Sequence, residues 1–308
     1  MIKHKDFFFE DTIIDFYRNS NEVNSFCNLF KEKILPLTNN LQYVDKWLDV
    51  GIGDGAKILK ILSDINISNK PELYFLEPSN SWINQLNISG NLEKIRREIK
   101  VNGLNRKFED YIKNRNDFDF DFVSFIQVLY EPTLFDSLLY FIDNSINRKD
   151  YYLLINLENE NNDLYKIRQI LNDNRIDTPI SQIINVEKEL NKRKVEFIKF
   201  NTTDKKLNLE IKDIVTKTNI NRNLIKKMSL SKFKSYNFTF NICRTLTRNK
   251  EHWFYPFLLG CNYSDFSTTY SRNEINKIYH IVENYLADKS EIEINDSTIL
   301  ATVKKGSI

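Results

Sequence analysis

Residues 47–62, WLDVGIGDGAKILKIL, run from an apolar segment through three glycines in five positions into an amphipathic pattern. The whole chain of 308 residues has seven glycines, so this concentration answers a local demand. A strand that ends on Gly51, Gly53 and Gly55 and continues as a helix is a nucleotide-type turn. Gly51 allows the chain to reverse sharply. Gly53 lets the backbone approach a ligand where a Cβ would collide, and Gly55 packs the new helix against the strand. The helix start beyond it offers free backbone N–H groups.

The rest of the chain repeats this strand-then-helix rhythm. Strand-like apolar runs fall at 43–50, 72–77, 120–130, 150–158 and 195–201, and helical patterns at 56–65, 81–86, 92–101, 133–146 and 164–171. Two helices are expected over 6–36, the second capped by Ser20 or Asn21 and stopped at Pro36. From about 206 to 288 the pattern is mostly helical with aromatic clusters. The end, EIEINDSTILATVKK, returns to strand chemistry with a turn at Asn295 and Asp296. Strands alternating with helices predict an α/β fold, a Rossmann-like sheet with helices on both faces. The expected organisation is N-terminal helices over a substrate site at 1–39, a nucleotide-binding core at 40–205, a helical lid region at 206–290, and a final strand returning to the core at 291–308.

Charge is nearly balanced, with 44 basic and 42 acidic residues, and the basic stretches are interleaved with acids. This disfavours a nucleic-acid partner, which needs a concentrated basic face. Cys27, Cys243 and Cys261 are far apart, and an odd number argues against a disulfide framework. No pair has metal-ligand spacing, so no metal is expected. His4, His252 and His280 are scattered, with no triad or metal partner legible. The acids in the first apolar run argue against a signal peptide, and no apolar run reaches the roughly 20 residues that span a bilayer. The default is a cytoplasmic protein without a membrane partner, taken as a monomer.

Two ligand classes use a glycine turn of this kind. Dinucleotides lay a pyrophosphate on it, and S-adenosyl-L-methionine (SAM) lays its amino-acid end there. Asp49, two residues before the first glycine, suits an ammonium and repels a pyrophosphate. Glu77 ends the next strand-like run, where a carboxylate can accept both hydroxyls of a ribose. Together they favour SAM.

LDVGIGDG resembles motif I of class I SAM-dependent methyltransferases, and YFLEPS resembles their second motif. FDFVSFIQVLYEP is similar to the fourth-strand segment of the histamine N-methyltransferase family. NSNEVNSFCNLFKEKILP resembles that family's lead-in and INDSTILATV its last strand. The resemblance is patchy but follows the chain in order. It implies a seven-stranded class I methyltransferase sheet and a methyl transfer that leaves S-adenosyl-L-homocysteine (SAH). It implies cofactor contacts from Gly51, Gly53 and Glu77, with Asp49 and Gly55 in the same motif and Ile126 near the sulfonium. Glu109, Asp110 and Tyr111 fall where such enzymes hold adenine, with the choice among them open.

On the substrate side, the resemblance implies that Gln127 touches the acceptor. Asp296 stands where the family has an asparagine, and Glu131 where it has an aromatic residue after the Tyr130 position. The family's N-terminal glutamate aligns with Val23, with Glu22 one residue away. These departures count against histamine itself and suggest a more negative pocket for a cationic or polyamine-like small molecule, unless Asp296 and Glu131 simply face solvent. Gln127, Asp296 and Tyr130 are the candidate catalytic residues: one to orient an N–H, one to take a proton, one to cradle a cation. Trp253, Phe254 and Tyr255 could also cradle a cation or simply pack a lid helix. The competing functions are transfer to a hydroxyl, carboxylate or peptide amine in a specialised metabolite pathway, and a non-catalytic partner that keeps the SAM fold.

Overall fold

A computed structural model describes residues 12, 13, 16, 22–64, 70–113, 119–130, 132–145, 149–207, 254–261, 266, 268–286 and 292–305. In chain order the elements are α1 (Glu22–Leu29), β1 (Lys46–Val50), α2 (Ala56–Asp64), β2 (Glu72–Leu76), α3 (Asn80–Ile88), α4 (Asn91–Glu98), β3 (Val101–Leu104), α5 (Phe108–Lys113), β4 (Phe122–Ile126) and α6 (Pro132–Ser145). They continue as β5 (Tyr151–Glu158), α7 (Asp163–Asp173), α8 (Ile183–Lys192), β6 (Glu196–Leu207), α9 (Phe254–Leu258), α10 (Arg272–Tyr285) and β7 (Ile292–Val303). The chain forms two compact units. One comprises Glu22–Asn159, Ser181–Asp204 and Asn295–Ile308; the other comprises Met1–Asn21, Glu160–Ile180 and Lys205–Ile294.

The first unit is built on a seven-stranded sheet in the order β3-β2-β1-β4-β5-β7-β6. β1 to β5 pair in parallel, and β7 runs antiparallel beside β5. This is the expected α/β architecture. Side chains alternate across each strand, so the strand residues divide into two cores. Leu48, Val50, Val123, Phe125, Leu153 and Ile155 face one side, where α5, α6 and α8 supply Phe108, Phe141 and Leu190. Trp47, Leu73, Phe75, Phe122, Leu154 and Leu300 face the other, covered from α1, α2, α3 and α4 by Phe26, Ile58, Leu86 and Ile95. Trp47 is fully buried, stacked on Phe30 at 6.1 Å and edge-on to Phe122 at 5.2 Å.

Three local expectations are corrected. The helix at α1 does not stop at Pro36. It passes through a wider π-type turn, Phe30–Ile34, whose looser winding accommodates the proline, and ends after Leu37, where the Thr38 hydroxyl donates to Ile34 O at 3.1 Å. The helix expected over 92–101 ends at Glu98, and Val101 opens the edge strand β3. Asn295 and Asp296 form no turn: β7 runs through them, held by Asn159 N–H donating to Asn295 O at 3.0 Å and by the register of Asp296 opposite Glu158.

The second unit has its own apolar core, with Leu164, Ile167, Leu258, Phe266, Ile278 and Val282 among its members. Asn162 caps α7 by accepting from Leu164 N at 2.8 Å, and Ser271 and Glu274 close a capping box on α10. Buried Arg168 donates to Leu258 O at 3.0 Å and to Phe257 O at 3.3 Å, with its guanidinium 5.4 Å from the Phe257 ring centroid. Phe254 and Tyr255 are core residues here. Tyr255 lies edge-on to Tyr279 at 5.0 Å, so these two rings take part in packing a helix. Trp253 lies outside the described residues.

Candidate functional site

The turn after β1 takes the form that its glycines allow. Gly51, Gly53 and Gly55 all have left-handed backbones, with φ of 75°, 58° and 73°. They differ in what surrounds them. A Cβ on Gly51 would run into Val128 Cγ1, just beyond β4, while Gly51 N–H donates to Leu76 O at 2.7 Å. A Cβ on Gly55 would lie 2.6 Å from Leu86 Cδ1 and 3.2 Å from Ile95 Cδ1. Gly55 therefore packs the turn against α3 and α4, not against the strand as the sequence suggests. Of the three, Gly53 alone has room for a side-chain carbon without a clash: its nearest neighbour would be Trp82 Cδ2 at 4.0 Å, an ordinary contact. The helix start is less free than expected, because Ala56 N–H donates to Asp54 Oδ1 at 3.0 Å.

Two buried carboxylates flank this turn. Glu77, just past β2, accepts from Gly53 N–H at 3.0 Å on one oxygen and from Ser79 N–H at 3.0 Å on the other. It pins the glycine turn from both of its oxygens. Asp49 accepts from the Ser124 hydroxyl, which itself accepts from Trp47 Nε1 at 2.7 Å. Burial pushes the Asp49 carboxyl up to about 7. The Ser124 hydrogen bond and the Lys57 charge pull it down, and Glu77 pushes it further up. A carboxyl whose folded pKa exceeds its unfolded value holds its proton more tightly when folded. The unliganded protein therefore loses stability through this group as pH rises from about 4 to about 7.

Alternation along the strands gathers a second group. Asp49, Ser124, Asn156, Thr298 and Asp296 share one face of the sheet, with Asn156 opposite Thr298 and Glu158 opposite Asp296. Gln127 follows β4 in a left-handed conformation, φ 59°, which costs a residue with a Cβ about 1–3 kcal/mol. Its backbone N–H donates to Asn156 O at 2.8 Å. Its side-chain Nε2 donates to Asn156 Oδ1 at 3.1 Å and to Asp296 Oδ2 at 2.9 Å, and Tyr130 OH donates to its Oε1. Asn156 Nδ2 donates onward to Thr298 Oγ1 at 2.9 Å. The three residues singled out as catalytic candidates, Gln127, Asp296 and Tyr130, are thus joined in one network. Asn156 and Thr298 were missed; the available signal was a polar residue in the middle of the apolar run YYLLINLE. Val128 ties this network to the turn through its place against Gly51.

The other candidates are placed as follows. Ile126 is buried in the core that also holds Ile52 and Ile58. On α5, Tyr111 is buried in the opposite core, Asp110 is exposed and Glu109 is half-buried. Glu22, buried at the start of α1, is ion-paired with Lys57 of α2, whose ammonium also lies 6.0 Å from the Phe26 ring centroid. Glu131 lies outside the described residues. Among the described residues no group of His, Cys, Asp and Glu is placed to hold a metal ion, and no helix is long and apolar enough to cross a membrane.

No protein-family model matches the sequence, and no curated protein matches it either. Solved structures do resemble it. The plantazolicin methyltransferase BamL, in complex with a triazolic desmethylPZN analog and SAH, is 12% identical with a TM-score of 0.46, covering 96% of this chain and 90% of its own. A SAM-dependent methyltransferase from Archaeoglobus fulgidus is 15% identical at 0.42, covering 90% and 94%. The cyclase SpnF is 12% identical at 0.42, covering 88% and 80%. Likenesses this remote identify no acceptor. The seven-stranded order and the reversed β7 together make the Rossmann-like sheet of the class I methyltransferase fold.

Proposed function

We infer that this chain is a SAM-dependent methyltransferase acting on a small molecule, with an amine nitrogen as the acceptor. The observation that carries the reading is Glu77. It is a buried carboxylate at the end of the strand next to β1, bonded to the one glycine of the turn where a Cβ would meet no clash. That arrangement fits a ligand with a diol and a cationic end. It does not fit a pyrophosphate, which would face both Glu77 and Asp49. SAM, when bound, supplies an electrophilic methyl on a sulfonium, which needs neither a protein nucleophile nor a metal.

The chain's own tasks are to bind, align and manage a proton. Gly53 admits the ligand backbone-close, Glu77 accepts from the ribose hydroxyls, and Asp49 answers the ammonium of the methionine portion. Gln127 and Tyr130, beside the turn, hold the acceptor so that its lone pair meets the methyl carbon at about 3 Å. The buried Asp296 gives that end of the site negative potential, which suits an amine. A neutral amine keeps its lone pair, and the proton released after transfer passes to solvent.

Two measurements test this reading. In thermal unfolding, SAM or SAH at one hundred times its dissociation constant stabilises the protein by about 2.7 kcal/mol, and NADH gives no shift. A shift with NADH alone contradicts the reading. The affinity for SAM also follows pH. It is about twenty-five-fold weaker at pH 5.5 than near 7.5, because Asp49 must be ionised and its carboxyl sits near 7. Ser124→Ala removes a bond that favours the ionised form and moves this midpoint upward. Calorimetry showing a flat profile from pH 5.5 to 7.5 rules out Asp49 as the ammonium partner.

A further inference from the structure

Strand register brings three polar groups together inside the sheet. β1 and β4 pair in parallel with Asp49 opposite Ser124, and Trp47, two residues before Asp49, points to the same face. All three are buried, Trp47 and Ser124 completely. A buried indole N–H needs an acceptor, and Trp47 Nε1 donates to Ser124 Oγ at 2.7 Å. An indole nitrogen can only donate, so this bond occupies a lone pair of Ser124 and leaves its one proton to be given elsewhere. Two acceptors lie within reach of that proton. Leu48 O stands at 3.5 Å, the limit of a hydrogen bond, and Asp49 Oδ1 is the closer. The hydroxyl is therefore aimed at Asp49, and a hydrogen bond donated to a carboxyl favours its ionised form. Burial pushes the Asp49 carboxyl up. Of the groups that draw it back, Ser124 comes ahead of the Lys57 charge on α2, while Glu77 pushes it further up. Lys57 is itself ion-paired with Glu22 of α1.

We propose that Ser124 and Trp47 are positioning residues for the cofactor: the indole N–H fixes the Ser124 oxygen, and Ser124 gives its proton to Asp49, keeping that carboxyl in the ionised form that the cofactor's ammonium requires. The inference rests on the methyltransferase reading and adds two residues to it, one acting through Asp49 and the other through Ser124. Trp47 contributes because bonds in a chain reinforce one another. In a low-dielectric interior the indole dipole polarises the hydroxyl and strengthens its donated bond by about 10–30%. A packing role alone would read differently. If Ser124 served only to satisfy the buried indole, its loss would lower stability and leave the titration of Asp49 where it is.

The test follows the Asp49 carboxyl of the full-length, unliganded protein by carbon NMR from pH 5 to 9, with aspartate carboxyls labelled and Asp49→Asn assigning the signal. The wild-type midpoint is expected near 7. Ser124→Ala raises it by at least about one pH unit, the size of a hydrogen bond to a charged group. Trp47→Phe raises it by about 0.3 unit, and the double variant titrates as Ser124→Ala does, because Trp47 acts through Ser124. Phe30→Leu, which loosens the stack on Trp47 but keeps its N–H, leaves the midpoint in place. Should Ser124→Ala not fold, Ser124→Cys, close in size but a weaker donor, moves the midpoint in the same direction. SAH calorimetry at pH 6 follows the midpoints, about tenfold weaker for Ser124→Ala and about twofold for Trp47→Phe. A midpoint unmoved in the Ser124 variants, or moved as far by Phe30→Leu as by Trp47→Phe, overturns the proposal. So do midpoints that move while SAH affinity at pH 6 does not. Midpoints that move as expected in a protein that binds no SAH at any pH contradict the methyltransferase reading instead.

Discussion

Gly53→Ala yields a folded protein that no longer binds SAM or SAH, whereas Gly51→Val strongly destabilises the fold itself. Both glycines hold left-handed backbones, so either substitution costs about 1–2 kcal/mol of backbone strain. Their surroundings separate them. At Gly53 the new methyl meets no protein atom nearer than 4.0 Å, so stability falls by little more than the strain. In the proposed reading, what the methyl fills is the approach of the ligand. At Gly51 the side chain runs into Val128, which is held between β4 and the Gln127 network. Overpacking adds about 1–3 kcal/mol to the strain, a large share of the 5–15 kcal/mol that stabilises an ordinary domain. Urea unfolding paired with calorimetry on both variants separates the two losses. Gly53→Ala retaining wild-type SAH affinity would mean that no ligand lies against that residue.

Glu77→Ala is expected to weaken SAM and SAH by at least about a hundredfold, because it removes two functions at once. In the proposed reading the carboxylate accepts from the ribose, and it also holds Gly53 N–H and Ser79 N–H. Truncation leaves those two donors without it, at about 1–3 kcal/mol of stability. Glu77→Gln is no rescue. Its carbonyl can keep one of the two N–H bonds, but its amide nitrogen then faces the other donor. A glutamine variant that binds as wild type shows that the carboxylate does not hold the sugar.

The glycine turn and its acids were legible because their signals are short-range. A strand running into Gly51, Gly53 and Gly55, and a carboxylate closing the next strand, need only a local pattern to be read. β3 was hidden for the opposite reason. It is four residues long and at the sheet edge, and its Gly103 leaves space for the Phe75 ring, so it carries little apolar alternation of its own. Asn295 and Asp296 have turn chemistry, but pairing with β5 outweighs it and carries Asp296 to Gln127. Asn156 and Thr298 meet across the sheet from distant parts of the chain, a juxtaposition that only strand register creates. Glu22 could be read as a surface acid near a substrate, because nothing in its neighbourhood of sequence announces Lys57 as its partner. That the segment Glu160–Ile180 packs with the second unit likewise has no local signal.

The central claim is that the bend after β1 takes the methionine portion of a sulfonium donor and Glu77 takes its sugar. A crystal structure of the protein with SAH tests it most directly. The account predicts the homocysteine end against Gly53, within reach of Asp49, and both ribose hydroxyls on the Glu77 carboxylate. SAH bound elsewhere with the bend unfilled, or a dinucleotide displacing SAH and laying its pyrophosphate on Gly53, would contradict it.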